Sequence, residues 1–174
     1  DQFSQLIQTR RSMRKFTEEP IAADDVATLM RAALMSPTSK GLHSYEFVMV
    51  DDKEQLTALA QCKSRGAELI AGASLAVVVL ADTTVSDVWV EDASVASTVL
   101  LLQAEDLGLG ACWVQVRQRF DEMGNSAEEN VRDLLGIPKQ MGVVSIVALG
   151  HKGMERKPQN EDKLLWEKVH VGQW

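Results

Sequence analysis

Apolar residues along the chain follow two patterns, continuous runs and helical repeats. Continuous apolar runs of strand length predict four buried β-strands, at residues 45–50, 74–81, 111–116 and 143–149. Apolar residues spaced three or four positions apart predict five helices and one short helical segment, at residues 2–8, 24–34, 53–62, 86–107 and 127–135, and at 67–70. These elements predict a single domain over residues 1–174, of either the α+β or the α/β class.

Proline and glycine mark where several of these elements end. Pro37 disfavours helix at the residue before it, so the second helix stops there. Gly108 to Gly110 follow the longest helix, as glycine commonly does at a helix C-terminus. The last part of the chain carries a polar run and then several large apolar side chains: Leu164, Leu165, Trp166, Val169, Val171 and Trp174. These are too many for a solvated arm, so we expect the tail to cover an apolar surface.

The net negative charge of the chain argues against some classes of binding partner. The 174 residues carry a net charge of −7 and therefore lack the dense basic surface that non-specific nucleic-acid binding needs. The longest apolar runs are shorter than the ~20 residues of a membrane helix, and no basic and then apolar leader opens the chain. Two cysteines are too few for a disulfide framework or a four-ligand zinc site. We expect a cytoplasmic protein that binds neither nucleic acid nor membrane.

Basic residues nevertheless concentrate in two loops, one near each end of the chain. These loops contain Arg10, Arg11, Arg14 and Lys15, and Lys152, Arg156 and Lys157. Two interpretations remain open. The basic residues either form solvated surface patches or meet at one phosphate, because the guanidinium fork suits phosphate oxygens. Ser12, which lies among the arginines, adds a hydroxyl group suited to a sugar or polyol chain.

Other motifs are weak when each is taken alone. The loop at 37–43 is rich in small hydrogen-bonding residues, but it is also typical of an ordinary turn. The Gly-Leu-Gly at 108–110 lacks a third glycine and runs from helix to strand, the reverse of a Rossmann phosphate loop. The three histidines lack metal-ligand spacing. Cys112 lies inside an apolar strand, where we expect a buried, unreactive thiol.

The order of four motifs is more specific than any one of them. Residues 10–16 read Arg-Arg-Ser-Met-Arg-Lys-Phe, and residues 37–47 read Pro-Thr-Ser-Lys-Gly-Leu-His-Ser-Tyr-Glu-Phe. A glycine-rich helix end leads into a strand at 108–113, and a Leu-Gly pair at 149–150 precedes Arg-Lys-Pro at 156–158. In this order they resemble the nitroreductase family of flavin-dependent oxidoreductases, whose motifs include Arg-Arg-Ser-x-Arg-x-Phe and Pro-Ser-x-x-Asn-x-Gln-Pro-Trp-x-Phe.

The resemblance implies that the protein binds FMN and assigns residues to it by matched position. The FMN phosphate would be held by basic residues of both loops, namely Arg10 and Arg11, with Arg156 or Lys157. Ser12 and Arg14 would contact the ribityl chain and the pyrimidine edge, where positive charge stabilises the anionic reduced ring. The remaining matched residues are Thr38, Ser39 and Gly41 from a second subunit, and Trp113, Val114 and Gln115, which would line the isoalloxazine ring with backbone N–H groups near N5.

The resemblance also implies a fold, an assembly and a reaction. The implied fold is an α+β sandwich with a mostly antiparallel sheet of four to five strands flanked by helices. The implied assembly is a homodimer that holds FMN at the subunit interface and exchanges C-terminal segments, which gives the apolar tail a surface to cover. FMN would take hydride from NADH or NADPH and reduce a nitroaromatic, a quinone or a related small electron acceptor in ping-pong order, so no side chain is assigned as catalytic.

The chain departs from the family pattern on the substrate side. Gly41 and His43 stand where the family has Asn and Gln, and Ser44-Tyr45 replaces its Pro-Trp. A flavin-binding or storage module without efficient turnover is therefore an alternative. A second alternative is a structural dimer that binds no ligand and whose basic residues are only solvated.

Overall fold

The computed structural model describes residues 2–174. Its α-helices in chain order are α1 (Gln2–Thr9), α2 (Ala23–Leu34), α3 (Lys53–Leu59), α4 (Trp89–Asp106) and α5 (Ala127–Leu135). Its strands are β1 (Tyr45–Val50), β2 (Leu75–Asp82), β3 (Leu109–Gln115) and β4 (Met141–His151). Short 3₁₀ segments lie at Ser39–Gly41, Glu68–Gly72, Glu161–Lys163 and Trp166–Lys168. Among the described residues, no helix is both long enough and apolar enough to span a membrane.

Every helix and strand that the apolar pattern predicts is present, but several ends differ. Helix α4 begins at Trp89 rather than at residue 86, because Ser86 lies in a turn where its Oγ accepts from the Val88 N–H at 3.2 Å. Strand β3 begins at Leu109, so only Gly108, with a φ of 73°, ends the preceding helix. Helix α3 is shorter than predicted and β4 is longer.

The four strands form one antiparallel sheet in the order β1-β2-β4-β3. Strands β2 and β4 therefore lie in the centre, and β1 and β3 lie at opposite edges. The pairing of β2 with β4 shifts register between Val79 and Leu80. This topology confirms the α+β class with an antiparallel sheet and excludes the parallel sheet that an α/β protein would have.

Helices cover both faces of the sheet, and each face has its own apolar core. Helices α2 and α4 pack on one face, where Leu29 and Leu100 are fully buried. Helices α3 and α5 lie on the other face, where Leu56 and Val131 are buried. The near-continuous apolar runs of β2 and β4 follow from this arrangement, because central strands are covered on both sides.

Helix α4 can lie close to the sheet because its inward positions are small. Ala93, Ala96 and Ala104 are fully buried along it. The Ser97 Oγ donates to the Ala93 carbonyl at 2.9 Å and lies 2.8 Å from the Ser145 Oγ of β4, which must therefore donate to it. Both hydroxyl groups are therefore hydrogen-bonded, so α4 and β4 pack together without leaving either of them unpaired.

The tail after β4 is exposed along its whole length from residue 153. Its beginning is tied to α1, since the Gln159 N–H donates to the Gln8 carbonyl at 2.9 Å. Farther on, Leu165 is 56% exposed, Trp166 is 70% exposed and Trp174 is completely exposed. A run of large apolar side chains in water is unfavourable. The expectation that this tail covers a second subunit stays a prediction.

Close packing between α4 and β4 can be tested at Gly142. A Cβ added to Gly142 would lie 2.5 Å from the Cη2 of the Trp89 ring. We expect Gly142→Ala to lower the free energy of unfolding by about 1–3 kcal/mol, because the ring or the strand must shift. In the control Gly72→Ala, an added Cβ meets nothing within 4 Å, so a change within about 0.5 kcal/mol is expected. Equal urea denaturation midpoints for the two variants would contradict the packing described.

Candidate functional site

The outer edge of β3 is only partly paired. The Met13 N–H donates to the Ala111 carbonyl on this edge at 2.9 Å, and Ser12 forms a parallel bridge with Ala111. Backbone groups of alternate residues point to the same side of a strand, so the N–H groups of Trp113 and Gln115 also face outward. No backbone carbonyl within residues 2–174 accepts these two N–H groups. Two backbone donors are therefore open to a ligand.

Two glycines let the segment at 10–16 lie directly on this part of the sheet. A Cβ added to Gly110 would lie 2.6 Å from the Cγ of Met13, which is buried. A Cβ added to Gly150 would lie 2.9 Å from the Cδ1 of Phe16. Because Gly110 and Gly150 have no side chains, the basic segment can pack directly against β3 and the end of β4.

The side chains of this basic segment face two different surroundings. Arg10, Ser12 and Arg14 lie near enough to the Cys112 thiol to influence its protonation. Arg11 instead lines a separate groove. The alternation of an extended chain explains the division, since successive side chains point to opposite sides. Arg10 and Arg11, which the sequence assigned together to one phosphate, thus face different surroundings.

The Cys112 thiol reports the electrostatics of this position. Burial is the largest influence and raises the pKa of the Cys112 thiol. Opposing influences lower that pKa, in decreasing order the Arg14 charge, a hydrogen bond from Ser12, the Arg10 charge and the Lys63 charge. The thiol thus stays protonated although positive charge surrounds it.

The cations near Cys112 take no part in the ion pairs of residues 2–174. Those pairs are Glu128–Arg132, Glu19–His151 and Glu105–Lys152. Lys63 was missed by sequence reasoning; burial lowers its pKa, and the charge of Arg119 acts in the same direction. The same residues contain no group of three His, Cys, Asp or Glu side chains that converge as metal ligands. Unpaired cations beside open backbone donors are suited to an anionic ligand rich in acceptors.

The two basic loops meet, as one of the two interpretations of the sequence required. The Arg156 Nη1 donates to the Ser12 carbonyl at 2.9 Å, and the Arg11 Nη1 donates to the Lys157 carbonyl at 2.5 Å. Arg11 and Arg156 line a groove of about 590 Å³ that also contains two glutamates. Lys157 contributes its carbonyl to the contact, and its side chain is exposed. The loops are therefore parts of one surface and not separate patches.

Side chains at the end of β3 are held by consecutive hydrogen bonds. The Trp113 Nε1 donates to the Gln115 Oε1 at 2.9 Å, and the Gln115 Nε2 donates to the Arg117 carbonyl at 2.9 Å. Val114 was expected to line the flavin ring. Its side chain is instead buried in the core on the side of α3 and α5, and its backbone pairs with β4. Gln118 follows with a φ of 60°, a left-handed turn at a non-glycine residue that sequence patterns do not reveal.

The loop before β1 lies at the opposite edge of the sheet. Thr38, Ser39 and Gly41 belong to this loop, whereas Arg14 and its neighbours lie beside β3. Three inter-strand spacings of about 4.8 Å separate the edge strands, which gives about 14 Å. One chain therefore does not bring the two groups of predicted residues together, and a single site that contains both needs a second subunit.

A buried carboxylate holds this loop in shape. Asp92, in the first turn of α4, is 3% exposed, and it accepts from the Ser39 N–H at 3.0 Å and from the Ser44 Oγ at 2.7 Å. The loop contains Lys40 with a φ of 55° and His43 with a φ of 49°. Such left-handed conformations cost energy for residues other than glycine and persist only where surrounding contacts enforce them. Sequence reasoning did not identify Asp92, because its partners are about 50 residues away.

Comparison with known proteins places this arrangement in a family. The sequence profile of the nitroreductase family matches residues 7–151. The chain belongs to the nitroreductase family. A protein of Archaeoglobus fulgidus, provisionally named NADH dehydrogenase/NAD(P)H nitroreductase, is 32% identical over 174 residues, with 97% of each chain covered. The NADPH-flavin oxidoreductase of Vibrio harveyi is 30% identical over 169 residues, which cover 88% of this chain and 68% of that one.

Solved structures from the nitroreductase family have the same fold. The FMN-dependent nitroreductase of Clostridium difficile superposes with a TM-score of 0.95 at 39% identity, covering 97% of this chain and 98% of that one. A protein of Parabacteroides distasonis, provisionally named NADH dehydrogenase/NAD(P)H nitroreductase, gives 0.91 at 30% identity, covering 100% and 99%. Nitroreductase-family proteins of this length thus match the chain from end to end, whereas the Vibrio harveyi relative is longer.

The reactivity of the thiols tests the electrostatics of the nitroreductase site. Burial raises the pKa of both Cys62 and Cys112, so the reactive thiolate is scarce near pH 8. We expect the folded protein to react with a disulfide reagent roughly a hundredfold more slowly than the unfolded chain, which should release two equivalents at once. The variant Cys62→Ser isolates Cys112. If the thiol in this variant reacts as fast as free cysteine, Cys112 is exposed to solvent, which would contradict its burial.

Proposed function

We propose that this protein is an FMN-dependent oxidoreductase that transfers hydride from NADH or NADPH to a small electron acceptor. The observation that carries the proposal is the open edge of β3, where two unpaired backbone donors lie beside unpaired cations. FMN offers complementary groups, namely an anionic phosphate, a polyol chain and a planar ring edged by acceptors. The names of relatives support it, since one is an FMN-dependent nitroreductase and another an NADPH-flavin oxidoreductase.

The residues at the β3 edge fit FMN in kind and in order. Ser12 provides a hydroxyl for the polyol chain, and Arg14 provides positive charge that stabilises the reduced, anionic ring. The N–H groups of Trp113 and Gln115 are unpaired donors for the ring edge. The phosphate would be held where the two basic loops meet, by Arg156 or Lys157 together with Arg10 or Arg11, which lie on opposite sides of the extended segment. Val114 supports the ring site through its place in β3 and not through its side chain.

The chain's own residues bind and orient, and none is assigned as catalytic. When bound, FMN supplies the redox chemistry, with hydride taken from the nicotinamide and given to a nitroaromatic, a quinone or a related small acceptor in ping-pong order. Cys112 lies close by, but burial raises the pKa of its thiol, so it is not assigned a role as a nucleophile.

Residues 1–174 form, in this proposal, a single FMN-binding domain that functions as a homodimer. The loop with Thr38, Ser39 and Gly41 completes the site of the second subunit, since it leads into β1, and about 14 Å separate β1 from β3 in one chain. The exposed apolar tail, including Trp166 and Trp174, is exchanged between subunits and thereby leaves water. Both cysteines are free, which fits the reducing conditions of the cytoplasm.

Anaerobic reduction tests the activity directly. The FMN-loaded protein should lose its visible flavin absorbance when NADH or NADPH is added without oxygen, and should regain it when a quinone follows. A bound flavin that neither nicotinamide bleaches would support the alternative of a flavin-binding or storage module, which Gly41 and His43 suggested. A protein that takes up no FMN at all would contradict both.

The contribution of Arg14 can be measured separately from turnover. We expect Arg14→Gln to weaken FMN binding by about ten- to a hundredfold, because hydrogen bonds to a charged group contribute about 1.5–3 kcal/mol. The matched control is Arg31→Gln on the exposed part of α2, which should bind FMN like the unaltered protein. Quenching of FMN fluorescence gives both dissociation constants. Equal affinity of the two variants would place the flavin away from the basic segment.

A further inference from the structure

Two hydrogen bonds in series connect His43 to the end of α2. The Tyr45 Oη donates to the Leu34 carbonyl at 2.7 Å, and the His43 Nδ1 lies 2.9 Å from the same Oη. The two rings meet edge to face, with centroids 5.7 Å apart and an interplanar angle of 72°. Tyr45 is 6% exposed, so the phenol is a fixed part of the protein interior and His43 is its outer partner.

The direction of both hydrogen bonds follows from the atoms involved. A carbonyl oxygen only accepts, so the single phenolic hydrogen of Tyr45 goes to Leu34. Burial, and then the charge of Asp92, raise the pKa of Tyr45, so the phenol keeps this hydrogen near neutral pH. The Oη can then only accept from His43, and the hydrogen of a neutral imidazole must be on Nδ1. The lone pair is left on Nε2.

The backbone holds the ring in this position. The His43 N–H donates to the Thr38 Oγ1 at 3.1 Å, and the residue has a φ of 49° in a loop that Asp92 anchors. His43 is exposed, and its Nε2 has no hydrogen-bond partner within residues 2–174. The Nε2 of His43 is therefore an ordered hydrogen-bond acceptor on the outside of this loop. In the proposed function, the same loop completes the flavin site of the partner subunit.

We propose that His43, in the tautomer enforced by Tyr45, is a specificity-determining residue that selects ligands with an N–H or O–H donor at the flavin face. The proposal rests on the proposed function, because the dimer places this loop beside the flavin. The ligand class is a small aromatic molecule with a hydroxyl or primary amide group. A ligand without such a donor leaves the Nε2 lone pair unpaired on binding, and an unpaired polar group opposes binding. Tyr45 acts as a positioning residue.

The tautomer is measured by nitrogen-15 NMR on histidine-labelled protein loaded with FMN, at about pH 8.5 so that imidazoles are neutral. We expect His43 to show a protonated Nδ1 and an unprotonated Nε2. The variant His43→Gln identifies its signals among those of the three histidines. In Tyr45→Phe, which removes only the hydroxyl, the signals should shift toward protonated Nε2. A protonated Nε2 in the unaltered protein would overturn the inference.

Ligand selection is measured by calorimetry with 4-(hydroxymethyl)benzaldehyde and 4-(fluoromethyl)benzaldehyde, which differ in the donor group. The oxidised holoprotein should bind the hydroxyl compound about fivefold more tightly, the effect of one hydrogen bond of about 1 kcal/mol. In Tyr45→Phe the ratio of the two dissociation constants should fall toward about one. An unchanged ratio in a variant whose NMR signals have shifted would overturn the specificity role.

Different results would contradict this inference and the proposed function. A protein that binds no FMN contradicts the proposed function and, with it, the role of His43 at a flavin face. Normal FMN reduction by NADH together with equal affinity for the two aldehydes would contradict only the role of His43.

Discussion

The unpaired outer edge of β3 is the constraint on which the site depends. An edge strand exposes N–H and C=O groups that must bind water, another strand or a ligand. Here the segment at 10–16 covers the first half of the edge and stops at Ala111. The uncovered half, with the N–H groups of Trp113 and Gln115, lies beside arginines that form no ion pair within residues 2–174. The donors are fixed by the sheet, so a ligand that uses them binds a surface that is already ordered.

The position of β1 at the other edge is the reason for proposing a site shared by two subunits. The strained loop at 38–43 leads into β1, and three inter-strand spacings, about 14 Å, separate β1 from β3 in the same chain. Asp92 holds that loop, which contains two left-handed residues, by accepting from the Ser39 N–H and the Ser44 Oγ. A buried carboxylate and backbone strain are costly features. Their presence is explained if the loop must keep one shape to fit a partner.

The sequence predicted the fold well because its signals are local. Apolar runs and helical spacing placed nine helices and strands, and the errors lie at their ends, as at Trp89, where a turn held by Ser86 delays the helix. The motifs also included segments that the structure brings together, since residues 10–16 lie beside β3 and contact the loop at 156–157. The direction of individual side chains was not predictable. Arg11 lines a separate groove, and the Val114 backbone pairs with β4, because successive residues of an extended chain point in opposite directions.

Contacts between distant segments were missed for a related reason. Lys63 approaches Cys112, and Asp92 reaches Ser39 and Ser44, only because the sheet brings those segments together. Neither residue belongs to a motif or a helical repeat that marks it as special. The hydrogen-bond series through Tyr45 likewise needs the end of α2 beside the start of β1. Such relations follow from topology and cannot be read from spacing along the chain.

A heterodimer made from two defective chains tests whether two subunits share one FMN site. One chain carries Arg14→Gln and the other Gly41→Trp; a Cβ at Gly41 meets nothing within 4 Å in its own chain, and the φ of 62° adds backbone strain to any substitution there. We expect both homodimers to lose tight FMN binding. The heterodimer, isolated with two different affinity tags, should bind about one FMN because one of its two sites is intact. A heterodimer that binds none, or a Gly41→Trp homodimer that binds FMN normally, would contradict a site built from two subunits.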